Sequence, residues 1–268
     1  MKIQLPAPVA SADFSRVHTL FTDVDGTMTS DAIIESATIK AIEALREAGV
    51  RVVLVSGRPA GWGDCWARTL PVDGVIVENG GLYFAKEPDR LIRKVYAQRD
   101  SDRVEHRRRL MREVQRAIRK VPGARLSSDS AYTEVNVAID YNEEISLGQE
   151  AADQLEKILR ARGIQAVRSN VHVNCWIGGF DKLTTVQRFL KKEWGLRLET
   201  NDPRFVYVGD SFNDAPMFAR FGLSVGVANV RDVLDRIEYA PAYITRQREG
   251  RGFRELAREI LAAIRRGR

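Results

Sequence analysis

The chain predicts an α/β fold: a doubly wound, Rossmann-like parallel sheet interrupted by an inserted α+β unit. Apolar runs short enough to be buried strands alternate with amphipathic helical stretches towards both ends of the chain. Between residues 85 and 178 that rhythm gives way to alternation such as Thr133-Glu134-Val135-Asn136-Val137, which marks half-buried, mostly antiparallel strands. In addition, three apolar runs end in polar turns of related design: Leu20-Phe21-Thr22-Asp23, Val53-Leu54-Val55-Ser56 and Val206-Tyr207-Val208-Gly209-Asp210. In an open parallel sheet ligands bind beyond the carboxyl ends of the strands, so these three tips are expected to share one crevice. The resulting partition is a first core half over 1–84, an insert over 85–178 and a second core half over 179–268.

Taken in order, residues 1 to 13 read as a loose leader, because Pro6, Pro8 and small residues carry no periodicity. Val17 to Phe21 suit a buried strand. Ser36 to Ala48 form a helix with Ser36 as N-cap and Gly49 at the exit, and Val50 to Val55 a second strand, completing a βαβ unit. A helix carrying Trp62, Trp66 and Leu70 leads to a third strand, Gly74 to Val77, and Asn79-Gly80 starts a hairpin into Leu82 to Phe84. The insert holds strands near Leu91 to Tyr96, Ala124 to Ser127, Glu134 to Asp140 and Gln165 to Trp176, with helices from Asp102 to Lys120 and Ser146 to Arg162. The β-α rhythm then resumes with a helix through Val186, Phe189 and Leu190. Strands at Phe205 to Val208 and Leu223 to Val227 follow, with a helix from Asp214 to Phe221 between them. A helix after Asn229, a short strand at Tyr243 to Thr245 and a closing helix from Gly252 to Arg266 complete the chain.

Composition sets the class. With 268 residues and 44% apolar content the chain can bury a sizeable core. No apolar run approaches the ~20 residues that span a bilayer, and Met1 to Arg16 lacks a basic segment followed by an apolar one, so a cytoplasmic location is expected. Cys65 and Cys175 have neither metal-ligand spacing nor an adjacent base and suggest no nucleophile. The net charge of +6 is unevenly placed.

Asp23 and Asp25, two residues apart at a strand end, project to one side and can share a target. Two such anions 4 Å apart repel by about 4 kcal/mol at an effective dielectric near 20, so the pair needs a cation, a shared proton or both. Taken alone, the pair also fits a helix-capping turn with a solvated Asp, Ser56-Gly57-Arg58 fits a helix N-cap, and Lys182 fits a solvated first-turn lysine. The third turn, Gly209-Asp210-Ser211-Phe212-Asn213-Asp214, brings two more carboxylates to the same crevice. Four acids exceed what structure requires.

In these motifs the chain resembles the haloacid dehalogenase superfamily of aspartate-dependent phosphohydrolases: Asp23-x-Asp25-Gly26-Thr27, strand-terminal Ser56, Lys182, and Gly209-Asp210-x-x-Asn213-Asp214. An insert between the Ser56 and Lys182 motifs looks like the larger cap of the Cof-type branch, subfamily IIB, which also holds sucrose-phosphate, trehalose-phosphate and mannosyl-3-phosphoglycerate phosphatases. The resemblance implies a Mg²⁺-dependent phosphatase of a small phosphorylated metabolite, such as a sugar phosphate or phosphoglycosyl acid. Asp23 would be the nucleophile and Asp25 the general acid and base, oriented by Thr27. Mg²⁺ would be held by the carboxylates of Asp23 and Asp210 and the carbonyl of Asp25. Ser56, the Gly57 amide and Lys182 would hold the phosphoryl group, with Asn213 adding a hydrogen bond and Asp214 fixing Lys182. A phosphosugar mutase shares this core and cap style and is the alternative activity.

Within the insert, Arg168, His172, Asn174 and Trp176 fall at even spacing and are expected on one strand face as specificity residues, against the simpler reading of a solvated face with one packed Trp. The helix from Asp102 to Lys120 carries Arg103, Arg107, Arg108, Arg109, Arg112, Arg116 and Arg119 opposite Val104, Met111, Val114 and Ile118. Without interleaved aromatics this reads as a solvated amphipathic face in preference to a nucleic-acid surface. A small phosphorylated molecule is the expected partner, with neither nucleic acid nor membrane.

Overall fold

Short β-branched runs closed by polar turns give the strands that place the site, and apolar stripes at helical spacing give the helices that cover them. The structure, a computed structural model, describes residues 5–87 and 91–267. Its elements, in chain order, begin with β1 (Ala7–Pro8), β2 (Thr19–Thr22), α1 (Ser36–Glu47), β3 (Arg51–Val55), α2 (Ala60–Thr69), β4 (Gly74–Val77), β5 (Leu82–Lys86) and β6 (Ile92–Tyr96). The middle of the chain forms α3 (Asp100–Ile118), β7 (Arg125–Leu126), β8 (Val137–Asp140), α4 (Gly148–Arg160), β9 (Gln165–Arg168) and β10 (His172–Trp176). The last third adds α5 (Lys182–Trp194), β11 (Phe205–Gly209), α6 (Ala215–Arg220), β12 (Leu223–Gly226), β13 (Tyr243–Ile244) and α7 (Glu249–Gly267).

Among the described residues one sheet has nine strands in the order β1-β13-β12-β11-β2-β3-β4-β5-β6, parallel except where β5 and β6 run antiparallel. Strands β11, β2, β3 and β4 lie side by side at its centre and are buried almost throughout. One face packs Leu20, Val52, Leu54 and Val206 against α1 and α7 residues such as Ile42, Leu45, Leu256 and Ile260. The other packs Phe21, Val53 and Tyr207 against Val186, Phe189 and Phe218. The insert folds on its own four-stranded sheet, β7-β8-β10-β9, with a separate core of Leu110, Val114, Leu155, Val173 and Cys175 beneath α3 and α4.

Four expectations are corrected. The expected leader over 1–13 is not loose where it is described: Ala7 and Pro8 pair with Tyr243 and Ile244, and Val9 is buried, while residues 1–4 lie outside the described residues. The strand near Leu91 to Tyr96 is β6, which pairs with β5 and so extends the core sheet instead of belonging to the cap. The stretch immediately after Asn229 is not the expected α-helix: Ala228–Asp232 is one short 3₁₀ turn. On α3 the buried apolar residues are Leu110, Val114 and Ala117, whereas Val104 is 51% exposed and Arg107 turns inward to Asn136 O and Thr133 Oγ1. Among the described residues no helix is long and apolar enough to cross a membrane.

Candidate active site

The three polar strand ends meet. β2 and β11 are adjacent and parallel, with Thr22 opposite Val208, so Asp23 and Asp210 leave neighbouring strands at the same edge, and the Asp23 amide donates to Val208 O at 2.9 Å. Lys182, the first residue of α5, enters from above. Its Nζ, 2% exposed as a residue, donates to Asp23 Oδ1 and Asp214 Oδ1 at 2.7 Å each. Segments far apart in sequence thus converge on one buried ammonium.

Asp214 is saturated. Oδ1 accepts from Lys182 and the Tyr207 hydroxyl, and Oδ2 from the amides of Asp210 and Ser211 at 2.9 and 3.0 Å. Asp210 is held at Oδ2 by the amide nitrogens of Asn229 and Asn170, both at 2.6 Å, and at Oδ1 by Thr27 Oγ1 at 3.3 Å. Thr27 therefore orients Asp210, not Asp25. Gly26 is required where it stands, because its φ is +69° and a Cβ there would lie 2.5 Å from Asp210 Oδ2.

Charge does not balance inside this pocket. Asp23, Asp210 and Asp214 have carboxylate oxygens within 4.8 Å of one another, all buried, with one lysine between them. Burial pushes Asp23 up to about 7, against the pull of Lys182 and helped by Asp214, and lifts Asp210 well above the usual carboxylate range, with Asp23 and Asp214 adding to the rise. Burial alone would lower Lys182, but Asp214 and Asp23 outweigh it and keep the ammonium charged. A dry cluster of oxygen donors with uncompensated negative charge fits a hard divalent cation such as Mg²⁺. Since Asp214 is fully bonded, Asp23 and Asp210 are the side chains best able to hold it.

Asp25 stands outside that cluster. Its carboxylate takes a two-pronged grip from Arg58, Nε to Oδ2 and Nη2 to Oδ1, both 2.9 Å. The same guanidinium reaches Glu143 at 2.6 Å and Asp129 at 3.4 Å, both in the cap. Of the phosphate-binding candidates, Ser56 Oγ accepts from the Arg58 amide at 3.0 Å and Gly57 O faces Asn136 Nδ2 at 3.4 Å. Asn213 is anchored by Ser211 Oγ at 2.7 Å and donates to Asn79 Oδ1 at 3.3 Å. A cavity of about 570 Å³ opens above Asp23, lined by Asp25, Gly57, Arg58, Asn142, His172, Asn174, Asn213 and neighbours.

The four cap candidates are split. Arg168 lies on β9 opposite Val173, not on the strand of the other three, because residues 169–171 turn the chain back and the Ser169 amide donates to His172 O at 2.8 Å. Its guanidinium is spent on Glu156, Asp153 and Gln149. Trp176 stacks on Phe180 and, with Arg168, lines a neighbouring cavity of about 680 Å³ that also reaches Lys182 and Asn213. His172 and Asn174 do face the catalytic cavity, with His172 Nε2 2.8 Å from Glu143 Oε2. Residues that the sequence reading passed over include Arg58, Glu143, Asn170 and Asn229. Arg58, next to Ser56-Gly57, had a signal in its position; Asn170 and Asn229 had none, since each acts across the fold.

A family model of haloacid dehalogenase-like hydrolases matches residues 20–106 and 93–249. The chain belongs to the haloacid dehalogenase-like hydrolase family. Among curated relatives, this hydrolase is 28% identical over 214 residues to a phosphoglycolate phosphatase of Haloarcula marismortui, covering 78% of this chain and 84% of that protein. Its fold matches a crystal structure from Thermoplasma acidophilum with a TM-score of 0.68, at 22% identity over 91% of this chain and 98% of that one. It also matches a haloacid dehalogenase subclass IIB sugar phosphatase with a TM-score of 0.61, at 16% identity over 93% and 98%. The branch expected from the inserted cap agrees with these folds.

Proposed function

We propose that this haloacid dehalogenase-like hydrolase, a phosphoric monoester hydrolase, is Mg²⁺-dependent and removes phosphate from a small, hydroxyl-rich metabolite of the sugar-phosphate or phosphoglycosyl-acid class. The observation that carries the reading is the Lys182 bridge, 2.7 Å to both Asp23 and Asp214, beside the buried carboxylate of Asp210. Uncatalysed phosphate-monoester hydrolysis is slow enough that accelerations up to ~10²¹ are known, so several devices must act together. With Lys182 on Oδ1, the other oxygen of Asp23 is free to attack phosphorus. The ester P–O bond breaks as the aspartyl-phosphate forms, and Asp25 supplies the proton to the leaving oxygen. Water then attacks the aspartyl-phosphate, returning its proton to Asp25 and releasing phosphate. Giving that proton requires Asp25 to exchange its contacts with Arg58 for one to the leaving group. Ser56, the Gly57 amide, Asn213 and Lys182 would hold the phosphoryl oxygens. Held by Asp23, Asp210 and the Asp25 carbonyl, Mg²⁺ would draw the substrate's negative charge towards the acids and stabilise it.

Charge and wall chemistry support the substrate class. The cavity presents Asn142, Asn174 and Ser169, donors and acceptors suited to hydroxyls, while Arg58 already answers to three carboxylates. A second reading, 2-phosphoglycolate, is favoured by the name of the Haloarcula relative. Phosphate release from a panel of hexose, pentose and polyol phosphates and 2-phosphoglycolate tests both. Asp23→Asn should lower turnover at least ~10³-fold, as should chelation. Undiminished turnover by Asp23→Asn would remove the mechanism; isomerisation of a hexose phosphate without phosphate release would replace it with a mutase.

A further inference from the structure

The outward face of α3 is not used by any part of the proposed reaction. His172 and Asn174 look into the catalytic cavity, whereas Val173 and Cys175 of the same strand enter the cap core with Leu110 and Val114 of α3. Thus α3 and α4 lie on the side of the cap sheet away from the catalysis. On their solvent side Arg108, Arg112, Arg119 and Lys120 are exposed, and among the described residues none has an acidic partner. Where α3 and α4 end, a cleft of about 470 Å³ is lined by Glu113, Arg116, Arg119, Lys120, Ile158 and Arg162. Glu113, 8% exposed, sits at its base and orients two of these arginines, Arg116 at 2.7 Å and Arg162 at 2.9 Å. A single acid thus presets two guanidiniums beside two further cations with no acid of their own.

Whereas the sequence suggests only a solvated face, the guanidiniums preset on Glu113 around this cleft change that expectation, and we infer that the cap docks a nucleic acid through its sugar–phosphate backbone. Arg108, Arg112 and Arg116 follow one another at a spacing of ~6 Å along the helix, and Arg119 continues the row. Phosphates recur every ~3.4 Å along one strand of a duplex, so each cation in the row can meet about every second phosphate. Chemistry separates this partner from the alternatives. An amphipathic membrane surface or a protein interface would place large apolar or aromatic anchors on the face. Of the large exposed apolar side chains among the described residues, only Val104 belongs to α3, one turn before the row begins. Without aromatic platforms the face cannot stack bases, so recognition is independent of sequence and steeply dependent on salt.

The test is fluorescence anisotropy of the full chain with a labelled 20-base-pair RNA duplex over a salt series. Three to five phosphate contacts predict a slope of log affinity against log salt of about −3 to −4.5. Arg112→Glu/Arg119→Glu/Lys120→Glu should weaken binding at least tenfold while leaving the melting temperature and hydrolysis of p-nitrophenyl phosphate unchanged. Arg112→Gln/Arg119→Gln should do the same to a smaller degree, which guards against a folding defect in the triple variant. Absence of salt-dependent binding, equal affinity in the variants, or preference for phosphatidylserine vesicles over RNA would each overturn the inference.

Discussion

In the seam between core and cap, the Glu78 carboxylate is fully buried and accepts four backbone N–H groups: Ala60 in the core at 2.9 Å, then Glu134, Val135 and Asn136 at 2.8, 2.6 and 2.7 Å. Beside it, one guanidinium, Arg58, is spread over Asp25, Asp129 and Glu143. The first fastening is made to main chain and shielded from water. The second is made between side chains, with Asp25 36% and Glu143 26% exposed, so water, substrate or another ion can take either partner's place. Glu78 and Asn79 also hold positive φ angles near 53°, an uncommon conformation for such residues that surrounding contacts must maintain. The difference teaches that two fastenings side by side, joined by the Glu78 amide donating to Arg58 O at 3.0 Å, differ in kind: one is buried and made to main chain, the other is partly wet and made between side chains.

The largest test removes the buried fastening. Glu78→Ala leaves four buried amides without their acceptor, each costing about 1–3 kcal/mol where water cannot enter. A loss of about 4 kcal/mol or more is expected, seen as a melting temperature lower by roughly 10 °C. A change of a degree or two would mean that this contact is dispensable and the comparison false. Of intermediate size is Arg58→Met, which keeps the stem but removes contacts to all three acids. Because water can replace the guanidinium at the partly exposed acids, each pair contributes only about 0.2–1 kcal/mol to stability, so the loss should stay well below that for Glu78→Ala while kcat/KM falls about tenfold to hundredfold. Equal losses of stability in the two variants would erase the distinction between the two fastenings.

The smallest effect is a pH dependence confined to the side-chain fastening. His172, and after it Arg58, draw Glu143 down to about 2 from an ordinary 4.5, against the opposing effect of burial. A carboxylate depressed on folding stabilises fully above its unfolded value and ceases to as pH falls through its folded one. The stability advantage of wild type over Glu143→Gln should therefore shrink as pH falls between about 4.5 and 2. An advantage independent of pH across that range would show that Glu143 acts by shape alone.

Much of this was readable in advance, for identifiable reasons. Asp23, Asp210 and Lys182 were legible because each sits at a strand end or helix start whose position follows from hydrophobic runs, and parallel pairing does the rest. Arg168 was misplaced because even spacing looks continuous whether or not a turn intervenes, and the turn at 169–171 has no glycine or proline to announce it. Ala7–Pro8 was missed because two residues carry no period; only their pairing with Tyr243–Ile244 makes them a strand. Thr27 went to Asp210 instead of Asp25 because Arg58, from a separate motif, had claimed Asp25. The errors share one cause: a side chain's partner across the fold leaves no mark in its own neighbourhood of sequence.

The two strands of chain that join cap to core run side by side. Gln98, on the way out, donates to the carbonyl of Ile177, on the way back, and Ala97 O is held by Arg188 of α5 at 2.8 Å. Departure and return are thus fastened together at the rim of the sheet, and everything beyond that clasp could be exchanged for another segment without disturbing the order of the strands beneath. A fold wired in this way keeps the strand order independent of the insert, while Asn170, reaching from the insert to the Asp210 carboxylate at 2.6 Å, is the contact a grafted replacement would have to supply again.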